Sequence, residues 1–158
     1  MCVAGLFVAN GCDMSDVTIP QEETTHFLER DMEKYQVGEI FESEYFIITY
    51  NSVKQVDSVN DGKNKPVEGY EFYQLDLTIE NKVDEEKHVY YECFVGFADD
   101  KMIDQFYFTD DILRGNLLKA GDSVTGTLTY SVPKDADKVE VIYQYDQYHE
   151  EMFAFIVK

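Results

Sequence analysis

Residues 127–131 read TLTYS, and this short stretch decides the fold class. Successive side chains of an extended strand point to opposite faces, so Leu128 and Tyr130 share one face and three hydroxyl side chains share the other. The pattern predicts a strand with one buried face and one solvated face. Four further segments alternate in the same way, with turn residues between them, and the chain is therefore predicted to be all-β.

The clearest of these strands spans residues 70–81, where Leu75, Leu77 and Ile79 face inward and polar residues alternate with them. Further strands are predicted at residues 45–56 (a strand pair or one bent strand), 89–97, 102–109, 123–132, 139–145 and 151–157. Asp110 is a candidate cap for a single helical turn over residues 110–115. About seven or eight strands at this spacing predict an immunoglobulin-like antiparallel β-sandwich.

The composition suits one domain with a strongly acidic surface. The chain has 158 residues, 44% of them hydrophobic, which is enough for one core of ordinary size. Its formal net charge is −19, and acids outnumber bases both before and after residue 36. Phosphate groups repel such a surface, so nucleic-acid binding is not expected.

The N-terminus is similar to a bacterial lipoprotein signal. Residues 2–9 are apolar or small and are too few to cross a bilayer as a helix. The run ends in the small residues Ala9-Asn10-Gly11, directly before Cys12. In such signals the leader is cut before a cysteine whose thiol is then lipidated. We therefore expect residues 1–11 to be a signal peptide whose natural start lies upstream of Met1. Cys12 would then be the lipid attachment site, which places the protein on the extracellular face of the bacterial cell membrane, or in the secreted fraction.

The alternative for this region is an intracellular protein with an apolar N-terminal strand and three reduced thiols, Cys2, Cys12 and Cys93. If the leader is removed and Cys12 is lipidated, only Cys93 remains as a free thiol. It lies on the predicted apolar face of a strand, where a free cysteine packs as a small hydrophobe.

Between the leader and the sandwich, residues 13–24 lack periodicity and are typical of a tether. Leu28, Met32 and Tyr35 then follow at helical spacing, which predicts a short amphipathic helix, with further tether as the alternative. The predicted organisation is a signal peptide over residues 1–11, a lipidated cysteine with tether and short helix over residues 12–36, and the sandwich over residues 37–158.

Three stretches carry a family resemblance: residues 69–81 (GYEFYQLDLTIEN), 97–101 (FADDK) and 116–134 (NLLKAGDSVTGTLTYSVPK). Together they resemble an immunoglobulin-like domain of unknown function found in Gram-positive surface lipoproteins and related in fold to a secreted mycobacterial immunoprotective antigen. The resemblance spans residues 35–158. The matching turn and core positions are Leu118, Gly121, Asp122, Val124, Gly126, Val132 and Pro133. The resemblance implies the sandwich fold and a surface location, and it brings no catalytic residues.

Candidate metal chemistry is limited to one acidic region. Asp99, Asp100 and Asp104 fall in one loop region, and calcium requires six to eight oxygen ligands from converging loops. Since no Asp-x-Asp-x-Asp-Gly spacing is present, a solvated acidic turn is the preferred interpretation. The three histidines lack a second histidine or cysteine at zinc-ligand spacing, so no metal is expected.

No motif of nucleophilic or phosphate-binding chemistry occurs, so we expect neither an enzyme nor a cofactor. The leading hypothesis is a cell-surface lipoprotein with a non-catalytic immunoglobulin-like domain that binds a protein or another cell-envelope partner. A second hypothesis is a secreted or surface inhibitor or sensor accessory protein that docks on another protein. A third, of a different class, is a calcium-assisted enzyme that uses the region between Asp99 and Asp111.

Overall fold

The computed structural model describes residues 32–106, 114–145 and 151–158, with only the backbone described at residues 106, 114 and 115. These ranges contain twelve strands and one 3-10 turn, and seven of the strands have five or more residues. The strands are β1 (Glu33–Tyr35), β2 (Ile40–Glu42), β3 (Phe46–Val56), β4 (Tyr70–Asn81), β5 (Lys87–Tyr90), β6 (Phe94–Ala98), β7 (Lys101–Met102), β8 (Gln105–Phe106), β9 (Arg114–Leu118), β10 (Ser123–Pro133), β11 (Val139–Gln144) and β12 (Met152–Ile156). No helix of the described ranges is long and apolar enough to cross a membrane.

The strands form two five-stranded sheets and a two-stranded ribbon. The first sheet has the order β1-β12-β11-β6-β7, the second has the order β2-β3-β4-β10-β8, and β5 pairs with β9 in the ribbon. All pairings between strands are antiparallel except that of β1 with β12, which is parallel. The predicted all-β sandwich is confirmed.

The longest ladder joins β4 and β10 over eleven residue pairs, with Leu75 opposite Leu128 and Tyr73 opposite Tyr130. Leu75, Leu77 and Leu128 are fully buried and point toward the first sheet. The period-two patterns at residues 70–81 and 123–132 therefore predicted both strands correctly. They succeed because each strand keeps apolar residues on one face and mainly polar residues on the other.

The core lies between the two sheets, and two tyrosines of the second sheet bridge it. The Tyr50 hydroxyl donates to the Ile156 carbonyl of β12 at 3.0 Å, and the Tyr130 hydroxyl donates to the Phe94 carbonyl of β6 at 2.9 Å. Both rings are fully buried, so these hydroxyls need such partners. Phe155 packs edge-on against Tyr50 with ring centroids 5.3 Å apart.

The first sheet begins earlier than predicted, because Glu33–Tyr35 form strand β1 and not the end of a helix. Tyr35 packs on Phe41 and Phe153, with ring centroids 5.3 Å and 5.8 Å away, and this core contact outweighs the helical spacing of the segment. The helix prediction is wrong for these three residues. The rest of that segment, residues 25–31, lies outside the described residues, as do the predicted tether and leader.

The predicted strand over residues 89–97 is interrupted by a 3-10 turn at Tyr91–Cys93, which separates β5 in the ribbon from β6 in the first sheet. The turn breaks the alternation, so Cys93 and Phe94 are both buried although they are neighbours.

The predicted strand over residues 102–109 is divided between β7 and β8, which join different sheets. The predicted helical turn over residues 110–115 is wrong at its end, since Arg114 and Gly115 belong to β9. Residues 107–113 lie outside the described ranges.

Candidate functional site

A cleft of about 290 Å³ opens at one end of the sandwich, and we call it the loop-end cleft. It lies where the β6–β7 turn, the segment between β7 and β8, the loop after β10 and the first residue of β4 come together. It is lined by Tyr70, Ala98, Asp99, Lys101, Met102, Ile103, Asp104, Ser131, Pro133, Asp135 and Ala136. Loops gathered at the end of a sandwich are a common place for ligand contacts, because the sheets hold them rigidly.

Asp99 builds one wall of this cleft. It and Asp100 both have positive φ, 46° and 64°, a conformation that aspartate tolerates better than most residues. The Asp99 carboxylate accepts hydrogen bonds from the backbone N–H of Asp137, at 3.1 and 3.2 Å, and of Lys138, at 2.8 Å. The Asp99 N–H donates to the Lys138 carbonyl at 2.9 Å. Asp99 therefore fastens the β6–β7 turn to the loop between β10 and β11.

Asp100 lies at the rim and forms an ion pair with Lys138, whose Nζ is 3.3 Å from the Asp100 carboxylate. The same Nζ is 3.0 Å from the Glu140 carboxylate. Hydrogen bonds to Glu140 and then to Asp100 raise the pKa of Lys138, although burial acts in the opposite direction. The charge of Asp100 is thus compensated by a neighbouring base.

Asp104 and Asp135 approach the cleft from different loops. Both are exposed, and within the described residues neither carboxylate has an ion-pair partner. The position of Asp104 is set through its carbonyl, which accepts a hydrogen bond from the Ser131 N–H at 2.9 Å. Among the lining residues that the structure describes, Lys101 is the one base against three aspartates, which gives these residues a formal charge of −2.

Large apolar side chains complete the cleft. Tyr70 is 39% exposed and Met102 is 41% exposed, and both line it, as do Ile103 and Pro133. Large apolar side chains left in contact with solvent at a concave site are typical of a binding surface.

The calcium candidates are not brought together as a ligand set. Asp99 uses its carboxylate on backbone N–H groups and Asp100 on Lys138, while Asp104 lies on a separate segment. In the part of the chain that the structure describes, no three His, Cys, Asp or Glu side chains are grouped so as to hold a metal ion. Asp110 and Asp111, and the lipidation candidate Cys12, lie outside it.

The residues that the sequence did not single out are Tyr70, Met102 and Asp135. Met102 and Asp135 meet through the pairing of β6 with β11, in which Ala98 lies opposite Val139, and Tyr70 joins them because it lies opposite Pro133 in the ladder of β4 and β10. That register brings the turn at residues 99–100 next to the loop at residues 133–138. Alternation within each strand carries no information about which strands are neighbours, so only the turn residues of this site could be read from the sequence.

The opposite end of the sandwich has a tight crevice beside Cys93 and Tyr143, too small for a ligand. The Cys93 thiol is buried and donates to the Tyr145 carbonyl at 3.2 Å, as expected for a packed free cysteine. The Tyr143 hydroxyl is buried with no hydrogen-bond partner among the described residues, and burial raises its pKa. Among the described residues, this crevice is therefore part of the core.

Several solved structures share the fold. The yjhA protein from Bacillus subtilis is 22% identical, with 78% of this chain covering 99% of that one at a TM-score of 0.62. A secreted protein from Mycobacterium tuberculosis, MPT63, is 13% identical, with 79% of this chain covering 97% of that one at a TM-score of 0.59.

A candidate lipoprotein from Bacillus subtilis, ycdA, is 17% identical with a TM-score of 0.61, and 75% of this chain covers it. The chain spans only 38% of the length of that structure. No curated protein matches the chain.

The family is shown by the sequence itself. A family model described as a domain of unknown function, DUF4352, matches residues 35–153, which include strand β4, the loops around the cleft and the first two residues of β12. The resemblance found in the three stretches is confirmed at this level, together with the β-sandwich fold. The chain belongs to the DUF4352 family of domains of unknown function.

Proposed function

We propose that this chain is a cell-surface lipoprotein whose immunoglobulin-like domain acts by binding, without catalysis, and that the loop-end cleft is its contact site. The observation that carries the proposal is the cleft itself: four separate parts of the chain converge on a concave surface that mixes exposed apolar side chains with carboxylates. Such a surface is suited to recognition of a partner.

The chemistry of the lining favours binding over catalysis. Ser131 supplies the one aliphatic hydroxyl among the described lining residues, and these include no histidine or cysteine. A nucleophilic mechanism requires a base within hydrogen-bond reach of the nucleophile, and a general acid–base mechanism requires a positioned proton carrier. The carboxylate of Asp99 is already engaged by two backbone N–H groups.

The surface location is supported by the sequence before Cys12 and by the similarity in fold to a candidate lipoprotein and a secreted protein. With a net charge of −19, the domain gains nothing from anionic lipid head groups. Attachment to a membrane therefore depends on a lipid anchor, and the segment from Cys12 to Glu33 separates that anchor from the first strand.

A second candidate is a surface inhibitor or sensor accessory protein that docks on an enzyme or a receptor. The grouping of loops at one end of the sandwich favours it, since loops held by a rigid scaffold commonly carry the residues that contact a partner. In this second candidate the loop-end cleft contacts an enzyme or a receptor, whereas the first proposal leaves the class of partner open. The identity of the captured partner would distinguish the two candidates.

Two experiments test the proposal. Metabolic labelling of the natural precursor with a fatty-acid probe should mark the wild-type protein and not Cys12→Ala, and label that persists in the variant would contradict the anchor. The purified domain is then used to capture partners from solubilised cell envelope, with and without a chelator. A partner retained in both conditions supports binding, whereas one lost with the chelator would favour a metal-dependent activity.

A further inference from the structure

We propose that the loop-end cleft binds a positively charged side chain, a lysine or an arginine, presented by a basic peptide segment of the partner. The inference deepens the proposed function and rests on it. It names the chemistry of the partner at the site where the chain would make contact.

The first step is the charge of the cleft. Asp104 and Asp135 project from two different loops onto one concave surface, and within the described ranges neither is neutralised by a base. Lys101 offsets one of the three lining aspartates and leaves a formal charge of −2. These carboxylates and the net charge of −19 of the whole chain would repel an anionic ligand, so the cleft attracts a cation electrostatically.

The second step is the apolar part of the cleft. Lysine and arginine carry long hydrocarbon stems that pack on apolar surface while the charged group stays at a polar edge. Tyr70 and Met102 are exposed and supply that surface, and a tyrosine ring also attracts a cation placed over its face. A bare metal ion or ammonium would leave these side chains without contacts, so the mixed lining favours a side chain over an ion.

The third step is size. At about 290 Å³ the cleft is at the lower end of small-ligand pockets, so it holds one long side chain and not a folded surface. The remaining partner residues would lie across the rim, where the Asp100–Lys138 pair is found. An extended segment with one inserted basic residue fits this geometry.

The test is a titration of the domain with three acetylated, amidated tripeptides, trilysine, triarginine and triglutamate, followed by nuclear magnetic resonance at low salt. Trilysine and triarginine should shift the amide signals of residues 98–104, 131–132 and 134–137, and triglutamate should not. The variant Asp104→Asn/Asp135→Asn should weaken the affinity about three- to tenfold, the range expected for loss of two exposed charge contacts.

The matched control is Asp84→Asn/Glu86→Gln, which removes two exposed acids from the turn between β4 and β5 at the opposite end of the sandwich. It changes the net charge by the same amount and should leave the affinity unchanged. Equal weakening by both variants, or no binding of the basic tripeptides, would overturn the proposal. A calcium-induced rise in melting temperature that the cleft variant abolishes, without tripeptide binding, would also overturn it.

The two proposals fail separately. If the cleft variant still captures the envelope partner as well as the wild-type domain does, the cleft is not the contact site but the binding function stands. If no partner is captured while the basic tripeptides bind at the cleft, the site stands and the function proposed for it does not.

Discussion

The outward faces of the two sheets differ in kind. On the second sheet, the side chains of Asn51, Asp76, Thr78 and Thr125 form a hydrogen-bonded polar surface, with the two threonine hydroxyls 2.8 Å apart. On the first sheet, the outward side chains form a second apolar cluster that is almost fully buried. Its members are Phe97, Ile142, Met152 and Ala154, with Met32 and Val95 packed against them.

The difference shows that the first sheet is buried on both of its faces, whereas the second keeps a solvated strip. Phe97 is 2% exposed, Ile142 is 1% exposed and Ala154 is not exposed at all. Among the described residues, one buried charged side chain, Glu140, lies on this apolar face. Its carboxylate is 2.6 Å from the Nζ of Lys34 and 3.0 Å from the Nζ of Lys138. If the two faces differ in their contribution to stability as they do in chemistry, substitutions on the first sheet should lower the free energy of unfolding more than substitutions on the second.

The largest effect is expected for Ile142→Ala, on the outward face of the first sheet. A buried isoleucine shortened to alanine loses its transfer free energy and leaves a cavity, together about 2–5 kcal/mol. Urea unfolding followed by tyrosine fluorescence would measure the change. A loss below about 1 kcal/mol, the size of a surface substitution, would mean that this outward face is not a true second core.

A smaller effect is expected for Glu140→Gln. The amide keeps the shape of the side chain but loses the ion pairs with Lys34 and Lys138, at a cost of about 1–3 kcal/mol. The lower half of that range applies, because both lysines are about half exposed and can be hydrated.

The matched control for this change is Glu42→Gln. Glu42 pairs with Lys82 at 3.0 Å but is 65% exposed, so its loss should cost less than about 1 kcal/mol. Equal losses in the two variants would show that the pairs of Glu140 are energetically ordinary surface pairs.

The stabilisation by Glu140 should depend on pH. Burial acts to raise the pKa of this carboxyl, but hydrogen bonds from Lys34 and Lys138 outweigh it, and the pKa lies below the ordinary value of 4.5. A lowered pKa in the folded state means that the contribution is complete above about pH 4.5 and is lost as the pH falls through the folded value. The stability difference between wild type and Glu140→Gln should therefore shrink between pH 5 and pH 3, and a constant difference would contradict the ion-pair account.

The smallest effect is expected for Thr78→Ala, on the outward face of the second sheet. The variant loses hydrogen bonds with Thr125 and Asn51 that are made at the surface, where water replaces them, so the cost should be about 1 kcal/mol or less. Thermal unfolding is sufficient to measure this loss of stability. A loss of stability as large as that of Ile142→Ala would show that the two faces do not differ in energy.

The same contrast explains what could be predicted from the sequence. Alternation identified β4 and β10 because one face of each is polar, as Leu77 and Thr78 illustrate. Alternation also predicted the strand at residues 139–145, but in β11 the outward Glu140 and Ile142 are buried as well as the inward residues, so the pattern did not reveal the second apolar cluster. Met32 and Tyr35 fit a helix by spacing, yet they pack against different clusters on the two sides of the first sheet.

The candidate site was predictable only in part. Asp99 and Asp100 were predicted as turn residues, and the structure places Asp99 in the lining of the cleft, with Asp100 next to it in the same turn. The sequence alone does not show that β6 and β11 are neighbouring strands, because their pairing depends on the packing of the whole domain. Hence the acidic turn could be identified from the sequence, whereas its approach to Asp135 could not.

Strand β1 has a mechanical consequence. It runs parallel to β12, and Lys34 ties it to Glu140. A force that pulls on β1 from its N-terminal side acts along the strand. The hydrogen bonds to β12 and the ion pair then bear this force in parallel, so they break together and not one after another. If the domain is anchored through its N-terminus as proposed, the three residues of β1 would set the tension at which the sandwich begins to open.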